Sequence, residues 1–330
     1  MLLTEIMVKR YRAAGAVLLL VLFQGCTRTT LRGSLLQNMT PAASSTRMLA
    51  VYEPWFGHPR HISVGYSSQD PIQLRKQIDE AKALGISGFV VDWYGDREPF
   101  LDRSYALLQS IAAEKNFQIA MMYDETAKDN DEATDDTLAA FTKFNTTYLA
   151  QTATGRESYL EYNGRPVIFV FPKGGHTDWK RVRAQTNGWN PPPLIIYESR
   201  STPYEAAFDG FYAWINPGKK GWARDGNNWG EDYLRDFYKK MQSKFPDKLA
   251  VGAIWTGFDD SKASWGQGRY MSQRCGQTLV DTMAIAKDYY PADHPLPFIL
   301  VETWNDYEEG SGIEPGLKKC GDSQDQKTTN

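Results

Sequence analysis

Residues 85–95 read GISGFVVDWYG, and this stretch decides the fold. Gly85 ends a helical pattern, and Gly88–Trp93 is apolar at consecutive positions rather than alternate ones. A strand written that way is buried on both faces, as in a parallel sheet covered by helices. Similar β-rich runs occur at Met48–Tyr52, Gln118–Tyr123, Pro166–Phe171, Pro193–Tyr197, Gly210–Trp214, Ala250–Trp255 and Pro297–Glu302. Between them lie helical patterns. Asp70-Pro71 supplies a cap residue followed by proline at the first helical position, with Gly85 as the stop. Residues 99–115, 134–153, 231–244 and 272–289 carry amphipathic spacing, and the link between the fifth and sixth strands has room for one helical turn. Eight strands alternating with helices predict an α/β chain folded as a single (β/α)8 TIM barrel over residues 48–320. A doubly wound open sheet is the alternative, but no glycine-rich phosphate loop follows any strand.

Composition narrows the function. The 330 residues hold 37 Lys+Arg and 40 Asp+Glu, a formal charge of 37 − 40 = −3, so no basic excess is present to neutralise nucleic-acid phosphates. Four histidines and three cysteines, without ligand spacing, give no reason to expect a metal or other cofactor. Ten tryptophans call for a large core or a ligand surface.

The N-terminus reads as an export signal. Lys9, Arg10 and Arg12 precede an apolar run of 11 residues, Ala13–Phe23, too short for a bilayer span of ~20. Residues 1–26 are expected to be a signal peptide. Gly25-Cys26 also resembles a lipoprotein cleavage site, which would attach the protein to a membrane through a lipidated Cys26; an uncleaved signal anchor is the alternative. The expected location is the periplasm, the outer membrane or the medium. Residues 27–47 read as a tether and 321–330 as a disordered tail. Export would permit a Cys275–Cys320 disulfide, and two free thiols stay equally open.

In a barrel of this kind the chemistry sits at the C-terminal strand ends. Those ends carry Tyr52, Glu53 and Trp55; Asp92, Trp93 and Tyr94; Tyr123, Asp124 and Glu125; Tyr197 and Glu198; Trp214 and Asn216; Trp255, Asp259 and Asp260; and, from Glu302, the run Trp304-Asn305-Asp306-Tyr307-Glu308-Glu309. Carboxylates beside large aromatics suit acid–base work on carbohydrate, with rings as platforms for sugar C–H faces. Asp306 and Glu309, three apart, would face one side of a tight turn and drive their proton affinities apart. Glu308 would point elsewhere. Gly310 and Gly312 would let the backbone turn beneath a sugar.

Several motifs carry a family resemblance. Tyr52–Pro59 (YEPWFGHP) is similar to the segment after the first strand of glycoside hydrolase family 99, and residues 85–95 resemble that family's second-strand segment. Asn163–Pro166 (NGRP) is also typical. Trp304–Glu309 (WNDYEE) resembles a family 71 motif, and Glu309–Pro315 (EGSGIEP) a family 99 motif. Both families are (β/α)8 barrels. The resemblance implies that Glu309 is the general acid/base. It makes Asp306 the partner that family 99 uses to deprotonate the sugar 2-hydroxyl, giving an epoxide-like intermediate. Asp306 is one methylene shorter than the family 99 glutamate, as in family 71, whose members are thought to invert, so the stereochemistry stays open. Neither family depends on a metal.

Around this pair the expected substrate contacts are Tyr52, Trp55, Trp93, Tyr94, Asp124, Glu125, Trp255, Asp260, Trp304 and Asn305. Each tryptophan among them reads equally as a core aromatic at the barrel rim. His58 and His61 read as solvated loop residues. The function expected is hydrolysis of α-linked glycans of mannan or glucan type by a monomer whose partner is an oligo- or polysaccharide. A carbohydrate-binding protein without chemistry and a metal-dependent phosphodiesterase are the rivals.

Overall fold

The computed structural model describes residues 46–316. The expected leader 1–26 with Cys26, the tether up to residue 45, Cys320 and the tail 321–330 lie outside the described residues. Eight parallel strands form the barrel: β1 Arg47–Tyr52, β2 Gly88–Trp93, β3 Gln118–Asp124, β4 Arg165–Phe171, β5 Leu194–Glu198, β6 Gly210–Tyr212, β7 Leu249–Trp255 and β8 Phe298–Glu302. Each pairs with its neighbours in sequence, and β8 closes the ring against β1 through Met48↔Ile299 and Ala50↔Val301. The chain is a (β/α)8 barrel. Arg47, expected in the tether, already pairs with Phe298 and belongs to β1.

Among the described residues six α-helices cover the outside: α1 Pro71–Ala83, α2 Pro99–Glu114, α3 Asn130–Thr147, α4 Trp179–Thr186, α5 Glu231–Lys244 and α6 Gln277–Tyr289. Asp70 caps α1 by accepting a hydrogen bond from the Ile72 amide at 2.8 Å, and Gly85 follows the helix at φ +82°. Two helices depart from the amphipathic reading. α3 starts at residue 130 rather than 134, because Asp131 and Glu132 sit favourably in its positive first turn. α6 starts at 277 rather than 272, because Arg274, Cys275 and Gly276 take left-handed φ values of 46°, 53° and 93°. α4 is too short for the periodicity to stand out, and the Asp178 side chain caps it. Only the turn Glu205–Ala207 links β5 to β6. Cys275 is disulfide-bonded, while the other two cysteines of the sequence lie outside the described residues.

Strand alternation divides the apolar residues in two. Leu49, Val51, Val90, Ala120, Met122, Val167, Phe169, Ile196, Phe298 and Leu300 pack inside the barrel. Their neighbours, such as Phe89, Val91, Ile168 and Ile195, pack under the helices. A strand buried on both faces requires this arrangement. No described helix is long and apolar enough to cross a membrane.

Candidate active site

The alternation that fills the barrel also builds its mouth. Two residues beyond Val51, Val90, Met122, Phe169, Ile196, Tyr212 and Leu300 stand Glu53, Asp92, Asp124, Phe171, Glu198, Trp214 and Glu302. The interior thus changes from aliphatic to acidic at the C-terminal ends of the strands. Above this layer lies a cavity of about 330 Å³ lined by Glu53, Trp55, His61, Asp92, Tyr94, Met122, Asp124, Phe171, Lys173, Trp214, Trp265, Asp306 and Glu309.

Five lining residues are carboxylates, and all five hold their protons more tightly than usual. Burial is the first cause in each case. Negative neighbours add to it: Asp92 acts on Glu53, Asp124 on Asp92, and Glu309 on Asp306. Lys173 is the only lysine or arginine in the lining, and its Nζ lies 3.0 Å from Asp124 Oδ2. The Tyr94 hydroxyl bonds to Asp92.

Asp306 and Glu309 enter the cavity from one turn after β8. The Asp306 amide donates to Thr303 Oγ1 at 2.8 Å, and Asp306 Oδ1 accepts the amides of Glu308 at 3.0 Å and Glu309 at 2.8 Å. A side chain that caps its own turn in this way fixes the direction of the residue three positions on. Gly310, at φ +63°, reverses the chain. Glu308 points out of the cavity and is buried, its Oε2 lying 2.7 Å from His61 Nδ1 and its Oε1 accepting the Ile62 amide. His61 is therefore a fixed part of the wall rather than a solvated loop residue. Its ring stacks on Trp55 with centroids 4.7 Å apart and planes 3° from parallel.

An arm between β7 and α6 completes the mouth. Phe258–Asp259 pairs with Tyr270–Met271, and buried Asp260 pins the arm by binding Arg269 Nε at 2.6 Å and the amides of Gln267 and Arg269. The arm carries Trp265, whose Nε1 donates to Glu309 Oε1 at 2.9 Å, with Arg269 Nη2 at 3.5 Å. Both contacts favour the ionised form and so oppose the upward push of burial on Glu309. Removing the indole donor in Trp265→Phe is expected to raise Glu309's proton affinity further. If protonated Glu309 is the working acid, the alkaline limb of the kcat–pH profile then moves to higher pH, as a steady-state pH series would record; an unmoved limb would show that the bond does not tune this group.

Of the residues expected in the site, Trp55, Tyr94, Asp124, Asp306 and Glu309 line the cavity and seven others do not. Tyr52 and Trp93 end their strands on the outward face. The Tyr52 hydroxyl reaches Gln77 of α1, and Trp93 packs on Phe144 while its Nε1 bonds Asp102 of α2. Trp304 packs on Phe89, and Trp255 donates to the Trp229 carbonyl. These three tryptophans, expected as sugar platforms, are core aromatics. Glu125 accepts the amides of Lys173 and Gly175, which shapes the loop after β4. Asn305 bonds both the amide and the carbonyl of Glu53, tying the first and last strand ends together. Asp260 serves the arm. Eight lining residues were not among the expected contacts: Glu53, His61, Asp92, Met122, Phe171, Lys173, Trp214 and Trp265. Strand parity identifies Glu53, Asp92, Phe171 and Trp214, because each continues an inward series.

This architecture, a closed parallel barrel with acids above its core, is one that solved glycoside hydrolases adopt. Two structures of a GH99 endo-alpha-mannosidase from Bacteroides thetaiotaomicron match it, one in complex with bis-tris-propane. That one has 19% identity, a TM-score of 0.63, and coverage of 84% of this chain and 89% of its own. A glycoside hydrolase-like protein matches at TM-score 0.54 and 13% identity, over 84% of this chain and 91% of its own. A family 5 mannosidase from Rhizomucor miehei, in complex with mannosyl-fructose, matches at TM-score 0.52 and 10% identity, over 80% and 82%. At these identities the likeness establishes the fold. No protein-family model and no curated protein matches the sequence.

Proposed function

We propose that this protein is a glycoside hydrolase that cleaves α-linked glycans of mannan or glucan type, with Glu309 as general acid/base and Asp306 as its carboxylate partner. The observation that carries the reading is the capped turn 306–309, which delivers both carboxyls into one acid-lined cavity in the barrel mouth. Burial makes both hold their protons more tightly than usual, the direction that an acid protonating a leaving oxygen requires. The second carboxyl then deprotonates either the sugar 2-hydroxyl or an attacking water. Trp55, backed by His61, and Trp265 supply ring faces beside the acid, and Asp92, Asp124 and Lys173 supply hydrogen-bond partners for hydroxyls. The endo-alpha-mannosidase among the similar structures supports an α-mannan before an α-glucan.

The test is incubation with a panel of α-mannans and α-1,3-glucans while proton NMR follows the anomeric configuration of the first product. Release of reducing sugar is the expected result. A product of unchanged configuration would assign Asp306 to the 2-hydroxyl, and an inverted product would assign it to water. Binding of a glycan with no product over long incubation would leave a carbohydrate-binding protein and overturn the enzyme.

A further inference from the structure

One side of the cavity holds more carboxyl groups than the proposed chemistry uses. Asp306 and Glu309 account for two carboxylates, while Glu53, Asp92 and Asp124 form a second group at the ends of β1, β2 and β3. Each keeps an oxygen that accepts no hydrogen bond and is shut off from bulk water: Glu53 Oε2, Asp92 Oδ1 and Asp124 Oδ1. All three residues are at least 94% buried. Two cations stand near them: the Lys173 ammonium, engaged by Asp124 Oδ2 at 3.0 Å, and the Arg97 guanidinium, which is spent on the Asp124 backbone carbonyl. Buried carboxylates are costly unless paired, and removing one partner from such a pair strands the other. A neutral sugar hydroxyl would supply a hydrogen bond to such an oxygen but no charge. An ammonium supplies both.

We infer that the Glu53–Asp92–Asp124 group is a subsite for a protonated amino group, so that the glycan this protein takes contains amino sugars with free amines. The inference rests on the carbohydrate reading above and narrows its substrate class. Lys173 fits it as a gate on charge, since it already neutralises Asp124 and leaves Asp92 and Glu53 for the incoming amine. An N-acetylated sugar would lose the charge and bring a bulkier group to the same oxygens.

The test titrates the full chain, by tryptophan fluorescence, with the methyl α-glycosides of glucosamine, mannosamine and galactosamine. The 2-hydroxy parents and N-acetyl derivatives serve as comparisons, at a pH where the amine carries its proton. At least one amine is expected to bind about tenfold tighter than both counterparts, a factor that corresponds to ~1.4 kcal/mol. In Asp92→Asn, which keeps the side chain's shape but not its charge, that ratio is expected to fall toward one. Parents that bind as tightly as the amines in the wild-type chain would overturn the inference, and that comparison needs no variant to fold. A thermal stabilisation by calcium chloride that no amine reproduces would also overturn it, by giving the carboxylates to a metal. Hydrolysis of neutral α-mannan without amine preference would sink this inference alone. Amine preference without hydrolysis of any glycan would sink the enzyme and leave the subsite standing.

Discussion

Glu309→Gln is expected to lower kcat by about 10²- to 10⁴-fold on a natural α-glycan, the range that a positioned general acid contributes. The amide cannot give up a proton at any working pH, yet it occupies the same volume. Its oxygen can still accept from the Trp265 indole, now at 2.9 Å from Glu309 Oε1. The exchange also removes one of the crowded carboxyl groups, so folding has no reason to suffer, and circular dichroism should show an intact barrel. The leaving group distinguishes the acid from its partner. An aryl glycoside with an acidic phenol departs without protonation, so the loss in Glu309→Gln should shrink on that substrate. Asp306→Asn keeps an oxygen able to accept the Glu308 and Glu309 amides but loses the base, so its defect should persist on both substrates. Unchanged turnover in Glu309→Gln would remove this residue from the chemistry, and equal losses on both substrates would deny it the acid's role.

The barrel was largely legible in the sequence, because parallel strands buried on both sides leave unbroken apolar runs and helices leave caps. All eight strands begin within one residue of their runs, and Gly88–Trp93 and residues 231–244 coincide with the observed elements. The site was legible only in part, for a geometric reason. Reading each strand end as a cluster mixes two faces that the pleat separates. In β2, Asp92 points into the mouth and Trp93 beneath the helices, although they are adjacent and both suit carbohydrate. Carrying the inward series Val90, Asp92, Tyr94 forward would have kept Asp92 and dropped Trp93. The same step at β1 keeps Glu53 and drops Tyr52. Loop residues offer no such rule. Trp265 reaches Glu309 only because Asp260 and Arg269 hold the arm, a pairing across nine positions that no local periodicity announces. The tryptophan excess divides accordingly: Trp55, Trp214 and Trp265 face the cavity, whereas Trp93, Trp179, Trp255 and Trp304 are fully buried structure.

Glu314 has no place in the cavity, and its replacement is expected to carry the largest stability cost. Its carboxylate is buried and accepts four hydrogen bonds. Gln73 and Gln77 of α1 donate to Oε1 at 3.2 and 2.8 Å, while the Tyr66 and Tyr307 hydroxyls donate to Oε2 at 2.9 and 2.7 Å. The last strand's loop is thereby fastened to the first helix and to the loop after β1, across the seam where the barrel closes. Glu314→Ala leaves four donors facing a void, and the Gln77 amide has no route to water. Each stranded buried donor costs roughly 1–3 kcal/mol, and relaxation will recover part of the sum, so about 3 kcal/mol is expected in all. In a domain of this size that lowers Tm by roughly 6–10 °C. Glu314→Gln retains one oxygen acceptor and should recover part of the loss, since the tyrosine hydroxyls can turn to accept from its amide. Activity should fall with stability in the alanine variant even well below its Tm. The Glu314 amide bonds the Trp304 carbonyl, and that segment sets the aim of the 306–309 turn. A calorimetric Tm within a degree or two of the wild type would show that the four bonds contribute nothing net. A lowered Tm with normal kcat at low temperature would show that the turn holds its geometry without them.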